Sequence, residues 1–185
     1  MAKLTPEDAA KLRQQLTVHE GRRRYPYRCT AGKLSIAVGY NIDDRGLGAL
    51  HAAIGRTPML TDLYKWGLTE AEIDAVLDAD IRYYESRVID YFPLYLDLDS
   101  VRQRAVVDFA FNLGKRALGF RKAIDALTRA TTAPLDHKQQ FYDVCALEMM
   151  RSLWASQVGD GAGGKRYDRA ERLADMIRTG QEPRF

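Results

Sequence analysis

Three residues near the start of the chain carry side chains that could take part in catalysis, namely Glu20, Cys29 and Ser35. Glu20 closes an amphipathic helical pattern, and a short segment rich in Gly and Tyr follows it. Such an order places a carboxylic acid at the lip of a cleft between a helix and a small sheet. A partly desolvated carboxylic acid can stay protonated near neutral pH and donate its proton to a leaving group.

A helix is predicted to position Glu20. Thr5 suits the N-cap and Pro6 the first helical position, and the acids Glu7 and Asp8 follow in the first turn. The apolar residues after them favour a helix that ends near Glu20. The helical spacing of apolar residues does not continue into residues 21–46, where glycines and Pro26 separate short runs of Tyr, Val and Ile. This punctuation predicts two or three short antiparallel strands.

The remainder of the chain is predicted to be mostly helical. After a short helix at 47–54 and a loop at 57–67, Thr69 and Glu72 form a capping box that opens a helix to about Tyr91, before Pro93. Capping boxes are also expected at 100–103 and 136–139. Further helices are predicted near residues 101–113, 119–130, 137–155 and 166–178, with an irregular glycine-rich stretch at 159–164.

These elements predict one domain, 1–185, with an α+β fold dominated by helices. A small lobe with an antiparallel sheet covers about 21–66, and a long connecting helix covers about 69–92. Residues 1–20 join residues 93–185 in a helical lobe. Glu20 is then expected at the junction, where a polymer could thread between the lobes.

Composition and charge exclude some classes of function. The 185 residues are 46% hydrophobic and 29% charged with a net charge of +3, which is ordinary for a globular domain. Nucleic acid is a poor fit, because no basic helix or aromatic-basic sheet motif is present. Four arginines beside Glu20 could attract an anionic polymer instead; they are Arg22, Arg23, Arg24 and Arg28. The three histidines show no spacing typical of metal ligands, so no metal or other cofactor is expected.

The N-terminal residues are charged and amphipathic, without the apolar core of a signal peptide. No stretch approaches the roughly 20 apolar residues of a membrane span. The chain is therefore expected to be soluble and made in the cytoplasm.

The spacing Glu20-x8-Cys29-x5-Ser35 resembles the Glu-x8-Asp-x5-Thr signature of the phage-type lysozymes, the muramidases of T-even phages. Gly21, Tyr27 and Gly32 are similar to the hairpin that surrounds that signature. Ordered matches continue along the chain, in 53–56, 98–102, 111–114, 152–154, 169–170 and 178–180.

The resemblance implies a two-lobed lysozyme fold and an endolysin that hydrolyses β-1,4 bonds between N-acetylmuramic acid and N-acetylglucosamine in bacterial peptidoglycan. Glu20 would be the general acid, and cleavage would pass through an oxocarbenium-like transition state. Cys29 replaces the family aspartate and could act as base or as nucleophile, which decides between inversion and retention. Ser35 replaces the family threonine and would hold the attacking water.

The resemblance also implies positions that contact the substrate. Arg169 resembles the arginine that pairs with the catalytic glutamate, and Phe111 resembles an aromatic residue that lines the cleft. Tyr40 takes the place of a family histidine and could hydrogen-bond to Asp80. The remaining positions align with saccharide or stem-peptide contacts and differ in residue type; they are Asn41, Ala123 and Glu148.

By the same resemblance, the protein would be a monomer with two free thiols, Cys29 and Cys145. It would stay in the host cytoplasm until lysis and then reach periplasmic peptidoglycan through a separate holin-type membrane protein. Two alternatives remain open. A lytic transglycosylase could use Glu20 alone, with the muramyl C6 hydroxyl in place of water. A phage structural protein could bind peptidoglycan without cleaving it.

Overall fold

The computed structural model describes residues 3–29, 32–158 and 168–183. Helices make up most of these residues, beside one small antiparallel sheet, so the predicted α+β class is confirmed. The strands are β1 (Arg23–Arg28), β2 (Leu34–Ala37) and β3 (Tyr40–Asn41). The α-helices of the described residues are α1 (Pro6–Glu20), α2 (Ile42–Ile54), α3 (Leu60–Trp66), α4 (Glu70–Tyr91), α5 (Ser100–Leu113), α6 (Arg121–Thr132), α7 (Lys138–Met150), α8 (Leu153–Val158) and α9 (Arg169–Thr179).

The chain packs as two compact units. The sheet unit is Ala10–Tyr83, and the helical unit combines Met1–Ala9 with Tyr84–Phe185. The boundaries fall inside α1 and inside α4, whereas the predicted lobes keep 1–20 together and treat 69–92 as a separate connecting helix.

The sheet unit contains all three strands in the order β1-β2-β3. Tyr27 lies opposite Ser35 on β1 and β2, and Ser35 lies opposite Asn41 on β2 and β3. Helix α1 ends where predicted, because Gly21 takes a left-handed φ of 71° and its N–H donates to the Thr17 carbonyl at 2.9 Å. Leucines and isoleucines from α1, β2 and α4 are fully buried and form the core, among them Leu12, Leu16, Ile36, Ile73 and Leu77.

Two predictions in the sheet unit need correction. The predicted loop 57–67 contains helix α3, whose start is held by an N–H of Met59 that donates to Asp62 at 2.9 Å and whose Leu63 is fully buried. Gly46, with a φ of 75° and a ψ of 166°, divides α2 into two segments, and the second segment is the helix predicted at 47–54. The first segment begins at Ile42, inside the region predicted as strands, because the Asn41 side chain caps it by accepting from the Asp44 N–H at 3.1 Å. The capping box of Thr69 and Glu72 is confirmed, with hydrogen bonds of 2.7 and 3.2 Å.

The helical unit is built on α5, whose N-cap is Asp99 rather than the predicted Ser100. The Asp99 carboxylate accepts from the Arg102 N–H at 3.0 Å. The predicted helix 137–155 is interrupted after Met150, and no side chain caps the start of α7, so the capping box at 136–139 is wrong.

Helix α5 also carries Arg104, which is 1% exposed and pairs with Asp8 at 2.7 Å and Glu182 at 2.6 Å.

Both cysteines are free thiols, as predicted, and burial raises the pKa of Cys145 to about 12. No helix within residues 3–29, 32–158 and 168–183 combines the length and apolar character needed to cross a membrane. The glycine-rich stretch 159–164 lies outside the described residues.

Candidate active site

Glu20 occupies the last position of α1, and its carboxyl group lies against the turn between β2 and β3. A Cβ built on Gly39 of that turn would lie 3.0 Å from Glu20 Oε2 and 3.2 Å from its Cδ. Only a glycine leaves room for this approach, and Gly39 also has a left-handed φ of 69°. Ala37, two residues earlier, has a φ of 58°, which an alanine rarely adopts. The turn is thus shaped to seat the glutamate side chain.

The sheet lines up polar side chains on one of its faces. Directly opposed residues of antiparallel strands point to the same side, so Tyr27, Ser35 and Asn41 share a face. Cys29 follows Tyr27 by two positions, and its N–H donates to the Lys33 carbonyl at 2.9 Å in the continuing hairpin. Cys29 itself lies one residue beyond the end of β1, in the connection between β1 and β2.

Tyr27 connects this face electrostatically to Glu20. Burial raises the pKa of the Tyr27 phenol, and the charges of Glu20 and of a Cys29 thiolate raise it further. Both groups thus lie close enough to act on the phenol. The sheet unit brings Glu20, Tyr27, Cys29 and Ser35 into one neighbourhood, in which Cys29 is half-buried and Ser35 is only 3% exposed.

The arginines near Glu20 do not form one cationic cluster. Arg22 is paired with Glu70 and with Asp74, each at 2.8 Å. Arg28 donates to the Gly32 carbonyl at 2.7 Å and thereby holds the hairpin that carries Cys29. Arg24 donates to the Trp66 carbonyl at 3.1 Å.

Tyr40 and Asp80 are not hydrogen-bonded to each other, in contrast to the possibility raised by the sequence. The Tyr40 hydroxyl donates to the Gly46 carbonyl at 2.6 Å. Asp80 pairs instead with Arg45 at 3.0 Å, while the Arg45 guanidinium stacks on the Tyr83 ring, 3.3 Å from its centroid. Burial raises the pKa of Asp80 to about 7, and the charge of Arg45 opposes that shift only in part.

The helical unit carries the other predicted contact residues. Phe111 on α5 is buried and packs on Tyr84, with ring centroids 5.0 Å apart. Ala123 on α6 is buried and lines an apolar cavity, whereas Glu148 on α7 is half-buried.

Arg169 is held by a buried acid in the same unit. Its Nε and Nη2 donate to Asp108 Oδ1 at 2.9 and 2.6 Å, and Asp108 is fully buried. The pairing of Arg169 with Glu20 stays a prediction.

A family model described as phage lysozyme matches residues 17–153. The chain belongs to the phage lysozyme family. The match begins just before Glu20 and includes every predicted site residue except Arg169. Membership of this family gives the chain a general role as a muramidase or endolysin, which is a type of glycoside hydrolase.

Two residues of this neighbourhood were not singled out by their chemistry in the sequence. Tyr27 lies opposite Ser35 in the sheet, and the sequence alone does not reveal which residues of two strands are paired. Gly39 makes room for Glu20, but a glycine in a turn gives no hint of what approaches it. Only the fold reveals that contact.

Proposed function

We propose that this phage lysozyme cleaves the β-1,4 bond between N-acetylmuramic acid and N-acetylglucosamine of bacterial peptidoglycan, with Glu20 as general acid. The observation that supports the proposal best is the position of the Glu20 carboxyl against Gly39, in the same compact unit as Cys29 and Ser35. A carboxylic acid fixed in this way can deliver its proton to the glycosidic oxygen while the sugar develops positive charge.

Cys29 and Ser35 would serve the other side of the sugar. A thiol is only a few per cent ionised at neutral pH, but its thiolate is a strong nucleophile. Cys29 therefore acts either as the base that activates water or as the nucleophile that forms a covalent glycosyl intermediate. Ser35 would support the first route through an enclosed water molecule held by its hydroxyl, because the residue is only 3% exposed.

The saccharide contacts would divide into two kinds. Asn41 and Glu148 keep part of their surface exposed and can reach a glycan strand directly. Phe111, Ala123 and Arg169 are buried, so they would shape or position the binding surface rather than contribute exposed polar groups. The expected setting is that of an endolysin, a monomer held in the host cytoplasm until a holin-type membrane protein gives it access to the wall.

Glu20→Gln tests the catalytic assignment, because it keeps the side-chain shape and removes the proton. We expect clearing of permeabilised bacterial cells to slow by about 10²–10⁴-fold, the usual contribution of general acid catalysis. Glu7→Gln is the matched control, since Glu7 is an exposed carboxylate on the same helix α1. If the wild type clears cells no faster than Glu20→Gln, the enzyme proposal fails and only wall binding is left.

A lytic transglycosylase reaction is the second candidate, and Cys29 in place of the family aspartate is the observation that favours it. Without a carboxylate at position 29, the muramyl C6 hydroxyl could attack in place of water. Mass spectrometry of digested cell wall separates the reactions. Hydrolysis leaves reducing muramic acid ends, and a digest with only 1,6-anhydro ends would replace the hydrolase by a transglycosylase.

A further inference from the structure

Strand β1 and the end of helix α3 meet at the surface of the sheet unit. The Arg24 carbonyl accepts from the Leu68 N–H at 2.9 Å, and Arg24 Nη2 donates to the Trp66 carbonyl at 3.1 Å. A Cβ built on Gly67 would lie only 3.0 Å from Tyr25 Cε1. The side chains of Arg24 and Tyr25 therefore lie beside the end of α3.

This surface exposes two large aromatic rings, each beside a cation. Trp66 is 62% exposed and Tyr25 is 46% exposed. Lys65 Nζ lies 4.7 Å from the Trp66 ring centroid, and Arg24 Cζ lies 5.6 Å from the Tyr25 centroid. We name these four residues the aromatic–cation patch.

The two cations of the patch form no ion pair with a carboxylate of the described residues. Neither Arg24 nor Lys65 forms an ion pair there, whereas Arg22 is paired with Glu70 and Arg56 with Glu72. The chain as a whole carries a net charge of only +3, so an attraction to anions at this place is a local property.

We propose that the aromatic–cation patch binds the surface of an anionic phospholipid bilayer. Trp and Tyr side chains concentrate at membrane–water interfaces, where an apolar ring and a polar edge are both satisfied. Lysine and arginine beside them gain from the negative potential of anionic headgroups. The patch combines both features on one exposed surface.

The arrangement fits a bilayer better than a glycan strand. Sugar C–H groups can stack only on the ring face that carries no cation, and such stacking makes no use of the positive charge beside each ring. A phosphate headgroup, by contrast, can meet the cation while the ring edge enters the interface. None of the four residues belongs to the proposed catalytic set, so lipid binding and bond cleavage can be measured separately.

Tryptophan fluorescence of the intact chain tests the proposal. The chain has two tryptophans, and Trp154 is buried, so a change in environment at the surface reports Trp66. We expect a blue shift, and quenching by brominated lipid, with phosphatidylglycerol vesicles and not with phosphatidylcholine vesicles. The effect should weaken as salt is added, and Trp66→Phe should remove it.

Vesicle co-sedimentation gives the affinity. Lys65→Gln should weaken binding to phosphatidylglycerol vesicles about fivefold, the usual worth of one basic residue at an anionic surface. Lys115→Gln removes another exposed charge, from the helical unit, and should leave binding unchanged. Both variants should clear permeabilised cells at the wild-type rate.

Four results would overturn the proposal. Wild-type protein could fail to bind phosphatidylglycerol vesicles, or could bind neutral vesicles equally well. The two lysine variants could weaken binding alike, which would show a response to net charge rather than to the patch. Finally, Trp66 could respond to soluble peptidoglycan fragments and not to vesicles, which would make the patch a glycan site.

Discussion

Replacing Gly39 by alanine separates the position of Glu20 from the stability of the fold. The new Cβ would lie 3.0 Å from Glu20 Oε2 and 3.2 Å from both Cδ and Cγ, whereas ordinary contacts begin near 3.4 Å. The carboxyl group must therefore retreat by about 0.4 Å from its seat. A displacement of 1 Å in an active site can cost about 10²-fold in rate, so we expect Gly39→Ala to lower kcat about tenfold.

Gly55→Ala supplies the control. Gly55 has a φ of 70°, nearly the same as Gly39, and a Cβ there would meet nothing within 4 Å. Each alanine should cost about 1 kcal/mol of folding free energy, because an L-residue is strained in the left-handed region. The two variants should thus lose similar stability, and only Gly39→Ala should lose activity.

The assay is clearing of permeabilised cells at a temperature where circular dichroism shows all three proteins fully folded. The rate of Gly55→Ala should equal that of the wild type. If Gly39→Ala and Gly55→Ala clear cells at the same rate, the contact between Gly39 and Glu20 has no part in catalysis. Glu20 would then not act on the glycosidic bond from the position that Gly39 sets.

Three further predictions concern other groups. Cys29→Ala should slow clearing far more than Cys29→Asp, and equal rates for both variants and the wild type would make Cys29 a bystander. The pKa of Asp80 is about 7 in the folded protein, against 3.8 in the unfolded chain. Protonated Asp80 therefore contributes its whole share of the folding free energy below pH 4, and this share is lost as the pH rises to about 7. Urea unfolding from pH 4 to 7 should show a decline on the order of 4 kcal/mol that Asp80→Asn lacks; a decline of equal size in the variant would rule out Asp80 as its source. Asp108→Leu should destabilise by about 3 kcal/mol or more because it leaves the Arg169 charge buried, and adding Arg169→Met should restore most of that loss in urea unfolding; a double variant no more stable than Asp108→Leu would contradict this.

Much of the fold follows from local sequence signals. The helix that ends at Glu20 and the capping box at Thr69 were readable because cap residues and apolar spacing agree there. Helix α3 was missed, since it has only seven residues and its N-cap is Met59, which no capping rule favours. The start of α5 was placed one residue late because Asp99 and Ser100 are both good caps, and only the hydrogen bond to Arg102 decides between them.

Some residues of the candidate active site could also be predicted from the sequence, for a different reason. The spacing of Glu20, Cys29 and Ser35, together with the hairpin around them, groups these residues through its resemblance to the phage-type lysozymes, and strand pairing places Tyr27 opposite Ser35. Partners distant in sequence were less accessible. Asp80 pairs with Arg45 rather than bonding to Tyr40, because the Tyr40 hydroxyl is already used by the Gly46 carbonyl.

Arg104 has a consequence for how the protein can be engineered. It anchors Asp8 and Glu182, so one guanidinium in the middle of the sequence holds segments near both extremities. A version cut before Glu182, or a tag that displaces this segment, would remove one of the two carboxylates that pair with Arg104. The Arg104 side chain is only 1% exposed, so its charge would be left buried with a single partner. Fusion partners are therefore better inserted at an exposed internal turn such as the one around Pro134 than joined to either extremity.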